Sequence, residues 1–182
     1  MLKITGGIYR SRMIDLPEIG TVPTKERVRE ALMSALCNDI PDAAVLDLFA
    51  GSGALGIETL SRGASSCSFV DLSPKACAIL RQSLKTLKEE RGEVIQGDYR
   101  TALKRFEEEK KAFDIVFLDP PYADLPFYLD AVETLKGKGL LSSRAAVVLE
   151  FEGELPYEFP FFEKQKRYNY GRTHVLILRN PL

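Results

Sequence analysis

Residues Asp47-Leu48-Phe49-Ala50-Gly51-Ser52-Gly53-Ala54-Leu55-Gly56 carry the clearest structural signal in the chain. It begins in the apolar run Ala44 to Phe49, short enough for a buried strand, and ends in a segment whose apolar residues recur at helical spacing. A Gly-x-Gly-x-x-Gly turn between a strand and a helix lets the backbone reverse tightly and lie directly against a ligand, because glycine has no Cβ. Asp71 follows Gly51 at the distance where the next parallel strand ends, and a carboxylate there can accept both hydroxyls of a ribose. Together the glycine turn and the acid predict an adenosine-containing ligand.

On either side of this turn, short apolar runs alternate with helical ones, the pattern of a parallel sheet with crossover helices. The expected strands are Ala44 to Phe49, Ser66 to Val70, Glu93 to Gln96, Phe113 to Leu118 and Ala145 to Phe151. Helices are expected from Ala54, from Ser73-Pro74 with serine as cap and proline in the first turn, from Tyr99 and from Leu125. Phe161 to Tyr168 and Thr173 to Arg179 are separated only by a turn containing Gly171, too short for a parallel crossover, so they should form an antiparallel hairpin. Upstream, residues 1 to 16 read as a basic hairpin turning at Gly6-Gly7, with Ile8, Arg10, Arg12 and Ile14 alternating on its second arm. An amphipathic helix follows, capped by Thr24 and carrying Arg27 and Arg29. The expected division is residues 1–22 as an amino-terminal extension and residues 23–182 as the ligand-binding domain.

Composition narrows the class. Apolar residues make up 45% and charged residues 28% of 182, which suits one globular core. No apolar run is long enough to span a bilayer and no secretory leader pattern opens the chain, so a cytoplasmic protein is expected. Cys37, Cys67 and Cys77 have no Cys-x-x-Cys spacing, and a single histidine, His174, leaves no zinc arrangement, so no metal is expected. The net charge of −1 removes any global basic signal. Nucleic acid would have to be met by local clusters.

Two further acids choose among adenosine ligands. A pyrophosphate would be repelled by Asp47 beside the glycine turn, whereas the ammonium of a methionine moiety would be attracted, which favours S-adenosylmethionine over NAD. Asp98 sits where an adenine edge would arrive and could equally cap the helix that starts at Tyr99. The candidate cofactor residues are Asp47, Phe49, Ala50, Gly51, Ser52, Gly53, Asp71, Leu72, Asp98 and Tyr99.

The motif Asp119-Pro120-Pro121-Tyr122 should lie at the carboxyl end of the fourth parallel strand. Proline fixes φ and removes backbone donors, so carbonyls and the Asp119 carboxylate are left as acceptors converging on one point. A base amine is a poor nucleophile because its lone pair is delocalised; acceptors gripping its hydrogens favour a pyramidal nitrogen aimed at a methyl donor. Tyr122 offers a stacking face to a base swung out of its helix. These four residues are the candidate catalytic set.

At these residues the chain resembles class I methyltransferases, and more closely the RsmD family of bacterial 16S rRNA guanine-N2 methyltransferases. The resemblance is carried by Ile4-Thr5-Gly6-Gly7 with Arg10 and Arg12, Pro23-Thr24 with Arg27-Val28-Arg29-Glu30-Ala31-Leu32, Asp47 to Gly56, Ser61-Arg62-Gly63-Ala64, and Asp119 to Tyr122. Val22 and Ser11 stand where the family usually has Arg and Gly. The resemblance implies a Rossmann-like α/β fold, with a seven-stranded, mostly parallel sheet, a carboxyl-terminal antiparallel hairpin and a small amino-terminal hairpin near the RNA. It further implies transfer of a methyl group from S-adenosylmethionine to one guanine amine of the small ribosomal subunit or its assembly intermediate, by a protein expected to be monomeric. An adenine-N6 methyltransferase and an NAD-dependent oxidoreductase are the alternatives, the first of which would normally need a separate target-recognition region. The basic residues expected at the RNA are Arg10, Arg12, Lys25, Arg27, Arg29 and Arg172.

Overall fold

In the computed structural model, which describes residues 1–17, 25–120 and 125–180, the order along the chain is β1 (Leu2–Lys3), β2 (Met13–Ile14), α1 (Glu26–Ala35), β3 (Ala44–Asp47), α2 (Ala54–Ser61), β4 (Ser66–Asp71), α3 (Pro74–Leu87), β5 (Gly92–Gln96), α4 (Tyr99–Glu108), β6 (Phe113–Leu118), α5 (Leu125–Gly137), β7 (Leu141–Glu152), β8 (Lys164–Tyr170) and β9 (Thr173–Arg179). Seven strands form one sheet in the order β5-β4-β3-β6-β7-β9-β8. The first five in that order run parallel, while β9 runs antiparallel to both β7 and β8. From β3 the chain builds outward to β4 and β5, then returns to place β6 on the other side. That reversal opens a crevice at the carboxyl ends of β3 and β6.

Because side chains alternate across a strand, β6 serves two cores at once. Ile115 and Phe117 pack with α1, α2 and α3 on one face, and Val116 and Leu118 pack with α4 and α5 on the other. Both faces of the central strands are therefore covered, which is why their sequences read as continuous apolar runs. Ser73 caps α3 as its sequence suggests, its Oγ accepting from the Ala76 amide at 3.2 Å.

Three expectations are corrected. The amino-terminal hairpin has only two residues in each arm, paired Leu2 with Ile14 and Lys3 with Met13, and a 3₁₀ turn at Gly7–Tyr9 occupies the intervening loop. Gly6-Gly7 is therefore not a two-residue turn. The alternation from Ile8 to Ile14 yields a strand only at its end, because the loop spends its polar groups on other elements. The first arm of the terminal hairpin begins at Lys164 rather than Phe161. Thr24, the expected cap of α1, lies outside the described residues.

The third correction concerns Arg29. Its side chain is 1% exposed and lies 3.5 Å from the equally buried Glu58 on α2, while its Nη2 donates to the Lys3 carbonyl at 2.8 Å. Glu58 also accepts from the Thr5 amide at 2.7 Å and pairs with Arg62, which in turn donates to the Thr5 hydroxyl. Arg29 is thus a buried tie between the amino-terminal segment, α1 and α2, with no surface left for RNA.

The same segment continues toward the amino edge of the sheet, since α2 and α3 each run back from the carboxyl edge to the start of the next strand. Ser61, the last residue of α2, accepts from the Tyr9 amide at 2.9 Å and donates to the Gly6 carbonyl. Tyr9 donates to Glu89 at 2.7 Å, and Arg12 donates to the Thr86 carbonyl at 3.3 Å near the end of α3. Arg10 and Arg12, both exposed, consequently sit at the amino-edge end of these helices, about 12 Å of helix away from the glycine turn.

Replacing Glu58 with alanine leaves Arg29 as a buried charge without its counter-ion. Urea titration should show a loss of about 3–5 kcal/mol, whereas the paired substitution Arg29→Met with Glu58→Leu should recover most of it.

Candidate active site

The parallel strands end in a row of carboxylates. Asp47 is the last residue of β3, Asp71 the last of β4, Asp119 follows β6 and Asp98 follows β5. Asp47 pairs in register with Phe69 of β4 and with Phe117 of β6, so Asp71 and Asp119 stand at the same height, one pleat further out on either side of it. With strands about 4.8 Å apart, those two acids are separated by about 10 Å across β3. The sheet order alone brings the glycine turn, Asp71 and the start of the prolyl motif to one rim.

The glycines of the turn differ in purpose. Gly51 adopts φ +54° and a Cβ added there would meet nothing within 4 Å, so its exposed side faces open space at the crevice. A Cβ on Gly56 would fall 2.3 Å from the Phe69 ring, so the third glycine permits α2 to lie close on β4. Ala50 and Ser52 are buried, and the Ala50 amide donates to the Val70 carbonyl at 2.9 Å, holding the arch down on β4. Gly53 sits at the head of α2.

Each carboxylate has a distinct environment. Asp71 uses one oxygen to accept from the Gly51 amide at 2.8 Å and the other to accept from the Ser73 amide at 2.8 Å. Each oxygen retains a second lone pair, so the acid is held rigidly with two acceptor sites remaining. Asp47 is 2% exposed and accepts from the Gly56 amide at 3.1 Å. Burial, reinforced by the neighbouring Asp71 charge and opposed by the Gly56 bond, raises its pKa to about 7. Among the described residues no cationic side chain pairs with it. Asp98 caps α4 by accepting from the Arg100 amide at 2.9 Å. That bond leaves its other oxygen available to a ligand.

Leu72, beside Asp71, is 72% exposed, an apolar side chain standing at the rim. Across the crevice Phe49, Tyr99 and Phe127 form an aromatic cluster with centroids 5.2 to 6.0 Å apart. Tyr99 is 4% exposed and its hydroxyl donates to Asp130, which also accepts from Arg100 at 3.1 Å. Burial and the bond to Asp130 push the Tyr99 pKa up to about 12, so it remains a neutral donor.

Asp119 and Pro120 are half-buried at the end of β6; Pro121 and Tyr122 lie outside the described residues. The Tyr128 hydroxyl, which donates to the Glu150 carbonyl, is raised in pKa by burial first and then by the nearby Asp119 charge. Tyr128 therefore lies under the start of the prolyl motif. Phe127, Tyr128 and Asp130 are not legible as site residues, since nothing in their own segment distinguishes them from ordinary apolar and surface positions of a helix. Only their closeness in sequence to Tyr122 points to the rim. Of the basic residues expected at RNA, Lys25, Arg27 and Arg172 are exposed, Arg10 and Arg12 are exposed at the far end of α2 and α3, and Arg29 is enclosed.

Comparison with known proteins agrees with this arrangement along nearly the whole chain. The family model described as "Conserved hypothetical protein 95" matches residues 2–179. The Ribosomal RNA small subunit methyltransferase D of Escherichia coli K12 is 34% identical over 154 residues, covering 84% of this chain and 76% of that protein. The protein of the same name from Haemophilus influenzae is 35% identical over 162 residues, covering 87% and 83%. A solved Escherichia coli structure, described as a candidate methyltransferase, superposes with a TM-score of 0.85 at 31% identity, covering 100% of this chain and 99% of that one. The fold is thus shared over the full length of the chain with that solved structure, and the chain is a member of the RsmD family of small-subunit ribosomal RNA methyltransferases.

Proposed function

We propose that the protein transfers the methyl group of S-adenosylmethionine to the exocyclic N2 amine of a guanine in 16S rRNA of the small ribosomal subunit. The observation that carries this reading is a buried carboxylate, Asp47, with no cationic partner among the described residues, on the strand next to the one that leads into Asp119-Pro120. An ammonium at Asp47 would relieve the desolvation that raises its pKa. A phosphate there would worsen it. The relatives named as ribosomal RNA small subunit methyltransferases supply the substrate class.

The residues present fit the cofactor. Asp71 has two acceptor sites for a pair of ribose hydroxyls, Asp98 one for the adenine amine, and Leu72 with Phe49 and Tyr99 an apolar enclosure for the ring. Gly51 lets the ligand lie against bare backbone. When bound, S-adenosylmethionine supplies an electrophilic methyl group on a positively charged sulfonium. Asp119 and the Pro120 carbonyl accept from the two hydrogens of the target amine and direct its lone pair outward, Tyr122 stacks on the swung-out base, and alignment rather than strong base catalysis lowers the barrier. The proton displaced from nitrogen leaves through Asp119 or through water. Residues 1–17 contribute mainly by bracing α1 and α2, and the surface that positions RNA is the rim carrying Lys25, Arg27 and Arg172.

The Asp119→Ala variant should lose about 10²- to 10³-fold in kcat, the range for removing a group aimed at the reacting centre, while binding the cofactor within about twofold of wild type. The readouts are labelled methyl transfer to small subunits that lack the modification and calorimetric titration of the cofactor. Nucleotide-resolution mapping of 16S rRNA from cells lacking the protein should show the loss of one guanine N2 methyl group; loss of an adenine methyl group instead would move the substrate assignment.

Asp47 gives a pH test with a definite sign. Only its carboxylate form pairs with an ammonium, so with a pKa of about 7 in the free protein, cofactor affinity should weaken about tenfold from pH 8 to pH 6. Its folded pKa lies above its ordinary value of 3.8, so its stabilising contribution is complete below pH 4 and is lost as pH rises through 7. Denaturant titration of the cofactor-free protein between pH 5 and pH 8 should therefore show a decline in stability that Asp47→Asn largely removes, while the same variant abolishes the pH dependence of cofactor binding.

A further inference from the structure

The edge strand of the sheet carries a pattern that the core uses only in part and the catalytic rim does not use. β8 is the last strand of the sheet, and Lys164, Lys166, Tyr168 and Tyr170 alternate along one of its faces. Tyr168 and Tyr170 rest against the core that holds Val175 and Ile177, yet each is only half-buried. Their rings are 6.4 Å apart and within 6° of parallel, and the Lys166 ammonium lies 5.0 Å from the Tyr168 ring centre. At the far end, the Arg27 guanidinium of α1 is close enough to Tyr170 to oppose the rise in its pKa caused by burial and by Tyr168. Among the described residues, Arg27, Lys164, Lys166 and Arg172 have no acidic partner.

Edge strands are commonly guarded by lysine, and charge alone would do that. Two parallel, half-exposed rings between unpaired cations go beyond what guarding requires. They match a single strand of RNA, whose bases need flat faces and whose phosphates need positive charge. The ladder also reaches the right place. Tyr170 pairs with Thr173, which pairs with Glu152 at the carboxyl end of β7, so the ladder ends at the rim, about 14 Å from the end of β6, three strand spacings away.

We propose that the Lys166–Tyr168–Tyr170 face of β8, extended by Arg27, is a stacking platform that holds a single-stranded RNA segment flanking the base presented at Asp119. The inference rests on the RNA reading above and assigns it a surface. Base contacts here are stacking contacts, so the platform anchors the strand with little choice of sequence and leaves selection to the pocket.

The test is binding of a fluorescently labelled oligouridylate of about ten nucleotides, by anisotropy, alongside methyl transfer to unmodified small subunits. The Tyr168→Ala, Tyr170→Ala double variant should weaken oligonucleotide binding about tenfold or more and raise KM for the subunit with little change in kcat. The corresponding phenylalanine double variant, which keeps both faces, should bind as wild type does. Lys166→Ala should shallow the logarithmic salt dependence by about 0.7, one phosphate contact on a single strand. Unchanged oligonucleotide affinity in the alanine double variant, with cofactor binding intact, overturns the platform and leaves the edge as guarded surface or a protein contact. If the alanine variant folds poorly, an unaltered salt slope in Lys166→Ala overturns it equally. Loss of oligonucleotide binding in the variants of a wild-type protein that methylates no ribosomal guanine would uphold the platform and refute the guanine reading, so the two fail separately.

Discussion

The bond from the Gly56 amide to the Asp47 carboxylate ties the end of a strand to the first turn of the helix that follows it, and much of the molecule is arranged around that short span. A helix begins with amide hydrogens that its own backbone cannot satisfy, and Gly53, the residue at the head of α2, has no side chain with which to help. Asp47 reaches across the loop to do so. The intervening residues 48 to 53 are thereby closed into an arch, pinned further by Ala50 on β4 and by Gly51 on Asp71. The arch is rigid because its bonds are made at both ends. Its cost is a carboxylate enclosed in the fold with no counter-ion among the described residues, which leaves the burial of its charge uncompensated.

A second set of ties, centred on Glu58, binds the amino-terminal segment to α2. It explains why residues that look separate in sequence share one core with the sheet, since Leu2, Ile4 and Ile14 pack in the same cluster as Val28 and Leu60. The segment braces the helices that carry the glycine turn from behind. The two ends of α2 thus have different tasks, ligand contact at its start and anchorage of the amino terminus at its finish.

The strand and helix order was legible because apolar runs and helical spacing alternate cleanly from Ala44 to Phe151, and the glycine turn announced where the ligand side of the sheet would be. The rim acids were legible for the same reason, each closing a strand. What escaped the sequence was whatever depends on contacts between distant segments. Arg29 reads as one more surface cation of an amphipathic helix, and only its meeting with Glu58 turns it inward. Arg10 and Arg12 read as a basic arm near the site, and only the docking of Tyr9 on Ser61 and Glu89 carries them to the other end of the sheet. Tyr128 and Asp130 look like ordinary helix residues until α5 is folded back against β7 and α4.

The row of acids along the rim gives the molecule an electrical polarity. Asp98, Asp71, Asp47 and Asp119 occupy four neighbouring strand ends, whereas the opposite flank presents Arg27, Lys166 and Arg172. A polyanion drifting toward the rim meets repulsion over one half and attraction over the other, within the roughly 8 Å over which such fields persist at physiological salt. Encounter is thereby biased to the flank of β8, a steering that weakens as salt shortens the reach of the field.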